Sequence, residues 1–194
     1  WYGCMERQLR QLREIQMNHS TNPYLPVPLL VAGDVFDKWN PPVELVTFAL
    51  KNLPDCIAVP GQHDLPHHAL ADMHRSAYGL LVQAGRIRHV EESHSQYPLM
   101  IHGFPWGEEV TPLNDAPPAV HVALIHAYVW KPGASYPDAP EGSHLKAFKA
   151  RLKGYDFAIF GDNHKPFVYS KWGFPYPTVV NCGGVGGQPG SCPQ

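Results

Sequence analysis

Four short apolar runs dominate this chain, and each of them ends in polar residues. The runs cover residues 28–32, 56–59, 119–126 and 155–160. A continuous apolar run of this length is typical of a strand that is buried on both faces. Because the carboxyl ends of strands in an open α/β sheet border one crevice, we expect the polar residues after the runs to meet there. The pattern predicts an α/β fold with one polar site.

Segments with the spacing of an α-helix lie before the first of these strands and between the strands that follow. Met5, Leu9, Leu12 and Gln16 form one stripe, which predicts an amphipathic first helix that packs on a sheet. The last two expected strands, at 166–170 and 177–181, have the β-branched and aromatic character of a closing hairpin. The chain is expected to form a single α/β domain over residues 1–194. Further helices are expected at 42–52, 69–84 and 143–152, and further strands at 86–91, 98–102, 166–170 and 177–181.

Composition narrows the class of protein. The formal charge of −2 gives little support to a strongly basic nucleic-acid surface, and the hydrophobic content of 44% is that of an ordinary globular protein. No apolar run approaches the ~20 residues needed to cross a bilayer and no secretory signal is recognised, so a cytoplasmic location is expected. Twelve histidines exceed what the core of such a domain needs, which indicates metal binding.

The residues that follow the four runs have the chemistry of metal ligands. Without a Cβ atom, Gly33, Gly61 and Gly161 can make the sharp turn that directs the next side chain into the crevice. Carboxylate, amide oxygen and imidazole together suit a divalent ion such as Mn²⁺, Fe²⁺ or Zn²⁺. The four clusters are Gly33-Asp34-Val35-Phe36-Asp37, Gly61-Gln62-His63-Asp64, the single His126, and Gly161-Asp162-Asn163-His164.

In their order and spacing, these motifs resemble those of the calcineurin-like metallophosphoesterase superfamily, in particular its phage and nuclease-like branch. Residues 33–37 look like its GDxxD motif, and residues 61–64 look like its GNHD motif with Gln62 in place of Asn. His126 is similar to its lone histidine, and residues 161–164 resemble its GHxH motif with Asp162 in place of the first His. The resemblance implies a four-layer α/β/β/α sandwich of two mixed sheets. The family's D-x-H motif, expected before the first helix, is not found, so the first strand of the family is expected to be missing.

The resemblance implies a role for each metal ligand. Asp34 would bridge two ions, Gln62, His126 and Asp162 would complete one site, and His164 would belong to the other. One or two divalent ions per chain are therefore expected. Mn²⁺ is favoured, with Fe²⁺, Zn²⁺ or Ni²⁺ as alternatives.

Catalytic and supporting roles follow from the same resemblance. His63 would lie near the leaving group or the transferred phosphate, with Asp64 holding its tautomer. Asp37 is expected to support a ligand or to cap a helix, and His102 to support a ligand from the end of its strand.

The expected reaction is the hydrolysis of a small phosphodiester by a metal-bound hydroxide. One alternative is a DNA nuclease of the same superfamily, for which Lys146, Lys149, Arg151 and Lys153 would supply basic contacts, although the net charge does not favour nucleic acid. The other is a catalytically impaired domain that binds metal or a partner. No membrane contact is expected. A homodimer is expected to cover the sheet edge that a missing first strand would leave. The alternative is that residues upstream of Trp1 supply both the strand and the D-x-H ligands.

Overall fold

The computed structural model describes residues 2–19, 27–91, 93–96 and 99–184. The helices are α1 (Tyr2–Asn18), α2 (Val43–Asn52), α3 (Ala77–Gln83) and α4 (Leu145–Phe148). The strands are β1 (Leu29–Ala32), β2 (Cys56–Val59), β3 (Ile87–His89), β4 (Ser93–Gln96), β5 (Leu99–Phe104), β6 (Val120–His126), β7 (Phe157–Gly161), β8 (Phe167–Tyr169) and β9 (Thr178–Asn181). Short 3₁₀ turns lie at Gln62–Asp64, Pro66–His68, Leu70–Arg75 and Glu141–Ser143.

Two sheets organise these elements. The first has the order β1-β2-β3 and is parallel in all its described strands. The second has the order β4-β5-β6-β7-β9-β8, in which β5, β6, β7 and β9 run parallel. β4 and β8 lie antiparallel at its two edges, so this sheet is mixed. The pairing of β8 with β9 confirms the predicted closing hairpin.

Three buried clusters define the layers of the fold. Ala58 and Tyr78 lie in the cluster between the first sheet and its helices α2 and α3. Val59 and Leu124 lie in the cluster between the two sheets. Ile125 belongs to the third cluster, on the other face of the second sheet against α4. The four-layer α/β/β/α arrangement is therefore confirmed, with the second sheet mixed as expected and the first sheet parallel rather than mixed in its described strands.

The alternation of side chains along β6 decides where its last residue points. Ala123 and Ile125 pack on the α4 side, whereas Leu124 packs between the sheets. Since successive side chains in a strand point to opposite faces, His126 falls on the same side as Leu124. Its ring accordingly reaches the first sheet and bonds to the carbonyl oxygen of Ala32, at the end of β1.

The helices agree with the sequence in part. In α1, Leu9 and Gln16 are buried and Met5 and Leu12 are half-buried, so the predicted stripe is confirmed. No described helix has both the length and the apolar character that crossing a bilayer demands.

Two predicted helices are shorter than expected. The one at 69–84 is interrupted at Ser76, whose backbone is extended and whose side chain accepts a hydrogen bond from the amide of Gly79. This cap starts α3 afresh, after a separate 3₁₀ turn. The helix predicted at 143–152 ends at Phe148, and the chain continues as turns, so the prediction is wrong beyond that residue. In these turns the amide of Leu152 donates to the carbonyls of both Phe148 and Lys149, a shared hydrogen bond that is common at the ends of helices.

Candidate metal centre

Asp34 follows β1 in a left-handed turn. The φ angles are 83° at Gly33 and 52° at Asp34. A residue other than glycine costs roughly 1–3 kcal/mol in such a conformation and persists only where its surroundings fix it. A Cβ atom at Gly33 would overlap the ring of His126, so glycine is required there for space as well as for φ. The turn brings Asp34 Oδ1 to the backbone N–H of His63, which donates to it at 3.0 Å.

The other two motif glycines serve close packing. Neither Gly61 nor Gly161 has a positive φ, so the predicted role in a sharp turn is wrong for them. A Cβ atom at Gly61 would overlap the carboxylate of Asp34, and one at Gly161 would overlap the carbonyl of Ala32. Gly61 lets the turns after β1 and β2 of the first sheet approach closely, and Gly161 lets β7 of the second sheet approach the end of β1, so that their motifs share one site.

Four side chains converge at the carboxyl ends of β1, β2, β6 and β7. Ligand atoms of Asp34, His126 and Asp162 all lie within 4.8 Å of one another. Gln62 lies between them: its Oε1 is 2.6 Å from His126 Nε2, and its Nε2 donates to Asp162 Oδ1 at 3.3 Å. His126 Nε2 is also 3.4 Å from Asp34 Oδ2. Asp162, like Asp34, has a left-handed backbone, with φ 79°.

The charges of Asp34 and His126 are strongly coupled. Burial lowers the pKa of His126, which is 2% exposed, but its hydrogen bond to Asp34, the charge of Asp34, the carbonyl of Ala32 and the charge of Asp162 together raise it above its usual 6.5. Burial raises the pKa of Asp34, yet the hydrogen bond and charge of His126 and the amide of His63 outweigh it and hold this pKa below 3.8. Both ring nitrogens of His126 face oxygen acceptors, Ala32 O at 2.6 Å and Gln62 Oε1. The metal-free site therefore favours an imidazolium beside an ionised carboxylate.

Asp64 has a different role from the one the motif implies. It is 0% exposed, and its carboxylate accepts hydrogen bonds from the amides of Gly61, Val35 and Phe36 at 3.0–3.1 Å. The expected bond to the His63 ring is wrong for the described structure, because the carboxylate points inward and His63 is exposed. Burial raises the pKa of Asp64 to about 6, although the three amides oppose the shift. Asp64 therefore ties the turn after β1 to the turn after β2.

The remaining predicted residues lie at the rim. His63, Asp37 and His164 are exposed, and His164 is outside the group of ligand atoms around Asp34. Asp37 and His63 line a cavity of about 250 Å³ beside the site. The structure thus brings together Asp34, Gln62, His126 and Asp162, and leaves the predicted ligand of the second site apart from them.

His102 lies on the wrong face of the second sheet to support a ligand. Its Nε2 is 3.0 Å from Nδ1 of His121, and its ring stacks edge-on against Tyr155. Its neighbours Ile101 and Phe104 pack in the inter-sheet and α4-side clusters respectively, so alternation directs His102 away from His126. The expectation for His102 is wrong for this reason.

Asn163 is a positioning residue that the sequence reasoning missed. It is 1% exposed, and its Nδ2 donates to the carbonyls of Val129 at 2.7 Å and Ala134 at 2.9 Å. Its Oδ1 accepts from the amide of Lys165. Asn163 therefore fastens the loop after His126 to the loop that carries Asp162. The only signal in the sequence was its place inside the fourth motif.

The sequence profile of the calcineurin-like phosphoesterase family matches residues 1–166. The chain belongs to the calcineurin-like phosphoesterase family. No curated protein matches it. Among the solved structures that resemble this chain, one crystal structure is 18% identical to it, with a TM-score of 0.47. The match covers 72% of this chain and 62% of the chain in that structure.

Proposed function

We propose that this chain hydrolyses phosphodiesters with a divalent cation held by Asp34, Gln62, His126 and Asp162. The observation that supports this most strongly is the convergence of these side chains from four strand ends in two sheets. Ligand atoms of Asp34, His126 and Asp162 lie within 4.8 Å of one another, and Gln62 bonds to both His126 and Asp162. Membership of a phosphoesterase family supports the class of reaction. The preference for diesters over monoesters is proposed in addition, since family membership supports only a phosphoesterase.

The donor set suits a cation. Oxygen atoms of Asp34, Gln62 and Asp162 and the Nε2 atom of His126 would be the ligands, and His126 Nδ1 keeps its proton by donating to Ala32 O. His126 Nε2 lies 2.6 Å from Gln62 Oε1 and 3.4 Å from Asp34 Oδ2. A cation that replaced a proton on this nitrogen would therefore find oxygen acceptors close to it. Two carboxylates, an amide and an imidazole fit Mn²⁺ or Fe²⁺ well and Zn²⁺ or Ni²⁺ less specifically.

A cation in this site would polarise the phosphoryl group and promote the attack of water on phosphorus. The protein's own residues supply the rest. Asp34 and Asp162 neutralise the cation and are fixed by their strained turns. His63 lies at the mouth of the site, anchored through its backbone amide to Asp34, and its imidazole is free to meet the phosphate. We assign to His63 the protonation of the leaving oxygen or the stabilisation of phosphoryl charge. Asp64 acts indirectly, by fixing the turn from which His63 projects.

The basic residues near α4 give little support to the nuclease alternative. Lys149 lies over the rings of Trp172 and Tyr176, at 5.8 and 4.6 Å from their centroids. Arg151 is 3.7 Å from the carboxylate of Glu109. These contacts are on the α4 side of the second sheet, whereas the His126 ring lies on the opposite side of that sheet, beside Asp34 at the end of β1. A small diester is therefore the better-supported substrate.

Hydrolysis of two chromogenic esters tests this proposal. Mn²⁺ is titrated into the protein with bis(p-nitrophenyl) phosphate and, separately, with p-nitrophenyl phosphate. We expect metal-dependent release of p-nitrophenol, faster from the diester than from the monoester. Faster release from the monoester would overturn the diester preference. No release from either ester while the metal is bound would instead support a domain that binds metal without turnover.

We also propose a homodimer that covers β1. Among the described strands, β1 pairs only with β2, and three of its four residues are half-buried where all four residues of β2 are buried. An apolar edge of this kind is a template for further strand pairing unless something covers it. Light scattering at micromolar concentration should give the mass of two chains. A monomer under those conditions would contradict the dimer and leave the proposed reaction untouched.

A further inference from the structure

The cavity beside the metal centre is continuous with it. It has a volume of about 250 Å³, and Gln62 and His63 form part of its wall. The same two residues contact the ligand group, through the side chain of Gln62 and the backbone of His63. A substrate whose phosphate lay against His63 would therefore have one of its ester groups at the cavity.

Backbone contacts fix one wall of this cavity. The carbonyl of Trp39 accepts a hydrogen bond from the amide of Ala77 at 2.8 Å, which ties the loop after β1 to the start of α3. Two further lining residues, His67 and His68, both have left-handed backbones, with φ 55° and 58°. Two consecutive residues in that conformation store strain that is most often found at functional sites.

The cavity offers a planar surface and hydrogen-bonding groups together. Trp39 is half-buried and Leu65 is fully buried, so part of the wall is apolar. Asn40 is exposed at the rim, where its amide can both donate and accept, and His67 and His68 add two imidazoles. An aromatic face beside an amide is the combination that binds the ring and the edge of a nucleobase.

Size and charge favour one ring system. A volume of about 250 Å³ lies just below the ~300–1,000 Å³ of cavities that take a whole drug-sized ligand, so it suits one part of a substrate. Lys38 and Asp37 also line the cavity, and their opposite charges leave it without a strong preference for an anion. A second phosphate is therefore a poorer occupant than a neutral ring.

We propose that this cavity binds the nucleobase of a nucleotide-type phosphodiester, with Trp39 stacking on the ring and Asn40 bonding to its edge. The inference rests on the proposed function, because it places the phosphate of the same substrate at the metal centre. It goes further by naming the organic group that the site selects.

Two esters that release the same leaving group test the inference. Thymidine 5′-(p-nitrophenyl) phosphate carries a base, whereas 1,2-dideoxyribose 5-(p-nitrophenyl) phosphate has the same sugar without the base, so the ratio of their kcat/KM values measures recognition of the base. We expect the wild-type protein to prefer the thymidine ester. In Trp39→Ala this ratio should fall roughly 10- to 100-fold, as expected for the loss of one base–aromatic stack, mainly through KM.

Two further variants keep the test decisive. Asn40→Ala removes an exposed side chain that the fold does not need, and it should lower the ratio several-fold even if Trp39→Ala does not fold. Trp172→Ala is the matched control, because Trp172 is equally half-buried but packs against Tyr169 and Tyr176 on the α4 side. It should leave the ratio unchanged. A wild-type protein without preference, or a ratio that neither cavity variant alters, overturns the inference.

Failure of the proposed function can be recognised separately. If the wild-type protein hydrolyses neither ester, calorimetric binding of thymidine 5′-monophosphate and of ribose 5-phosphate in the presence of Mn²⁺ decides the point. Tighter binding of the nucleotide that Trp39→Ala abolishes supports the base site without turnover. Equal binding of the two ligands overturns it.

Discussion

The side chains on the buried, inner side of Asp34 and those on its exposed, outer side differ in how firmly the fold holds them. On the inner side, Gln62, His126 and Asp162 bond to one another or to Asp34. On the outer side, His63 and His164 project into solvent. The inner side chains are therefore held by one another, whereas the hydrogen bond between the outer residue His63 and Asp34 is made by the backbone amide of His63. The difference indicates that cation binding is a property of the fold, and that the outer histidines act on what the cation brings in.

Removing His126 should have the largest effect, because it takes away a ligand from the inner side. Altering a residue that merely supports a ligand costs about 10–100-fold in metal affinity, so His126→Ala should lose more than about 100-fold and with it all measurable hydrolysis. Titration calorimetry with Mn²⁺ measures the affinity. His164→Ala is the matched control from the outer side, and its affinity for the first ion should change less than about tenfold. Equal losses in the two variants would remove the distinction between the sides.

Removing the His63 ring should separate catalysis from metal binding. His63→Ala should lower kcat by about 10²–10⁴-fold, the contribution of a positioned acid or base, while Mn²⁺ binds as in the wild type. Its backbone amide still donates to Asp34, so the inner side is preserved. Steady-state kinetics at saturating metal measure the effect. A variant that lost metal affinity in parallel with kcat would show that His63 belongs to the inner side.

Asp64→Ala should act on stability, because Asp64 joins the two turns that carry the site. Two buried amides and one part-buried amide would lose their acceptor, at roughly 1–3 kcal/mol for each buried donor left unsatisfied. Partial relaxation should leave a loss of about 3 kcal/mol in the free energy of unfolding. Urea unfolding of the metal-free protein measures it. The exposed Asp37→Ala, from the neighbouring loop, should change this free energy by less than about 0.5 kcal/mol. A fully stable Asp64→Ala would argue for a direct catalytic role.

Acid should weaken the metal site through His126. The pKa of this residue is raised above 6.5, and an imidazolium cannot bind a cation, so metal binding must release a proton. Apparent affinity should therefore rise as pH rises toward the pKa of His126, by up to about tenfold per unit, and level off above it. The pKa of Asp34 is below 3.8, so this carboxylate stays ionised throughout. Calorimetry between pH 5.5 and 9, in buffers of different ionisation enthalpy, detects both the trend and the proton. A pH-independent affinity without proton release would contradict the assignment.

The sequence predicted the parts of the molecule that depend on local pattern. Apolar runs located the strands β1, β2, β6 and β7, and their order implied that Asp34, Gln62, His126 and Asp162 would meet. These four side chains do meet, because parallel strand ends share one edge and because β6 alternation turns His126 toward the first sheet. Helix lengths were less predictable, since the cap at Ser76 overrides the spacing on either side of it.

Contacts between distant loops could not be predicted in the same way. Asp64 lies beside His63 in the chain, yet its carboxylate turns inward to amides at residues 35 and 36. His102 has the pattern of a strand-end histidine but faces the α4 side, where His121 and Tyr155 lie. Asn163 is fixed by carbonyls about thirty residues away. In each case the direction of the side chain depends on tertiary packing that no short motif encodes.

If the inner group binds the cation, His126 Nε2 should be one of its ligands. Electron spin-echo envelope modulation of bound Mn²⁺ tests it directly, because an imidazole nitrogen that binds the ion modulates the echo. The protein loaded with one equivalent of Mn²⁺ should show this nitrogen signal, and His164→Ala should retain it. His126→Ala, loaded at higher Mn²⁺ to offset its weaker binding, should lose it. A nitrogen signal that survived in His126→Ala and vanished in His164→Ala would place the cation on the outer side and contradict the account.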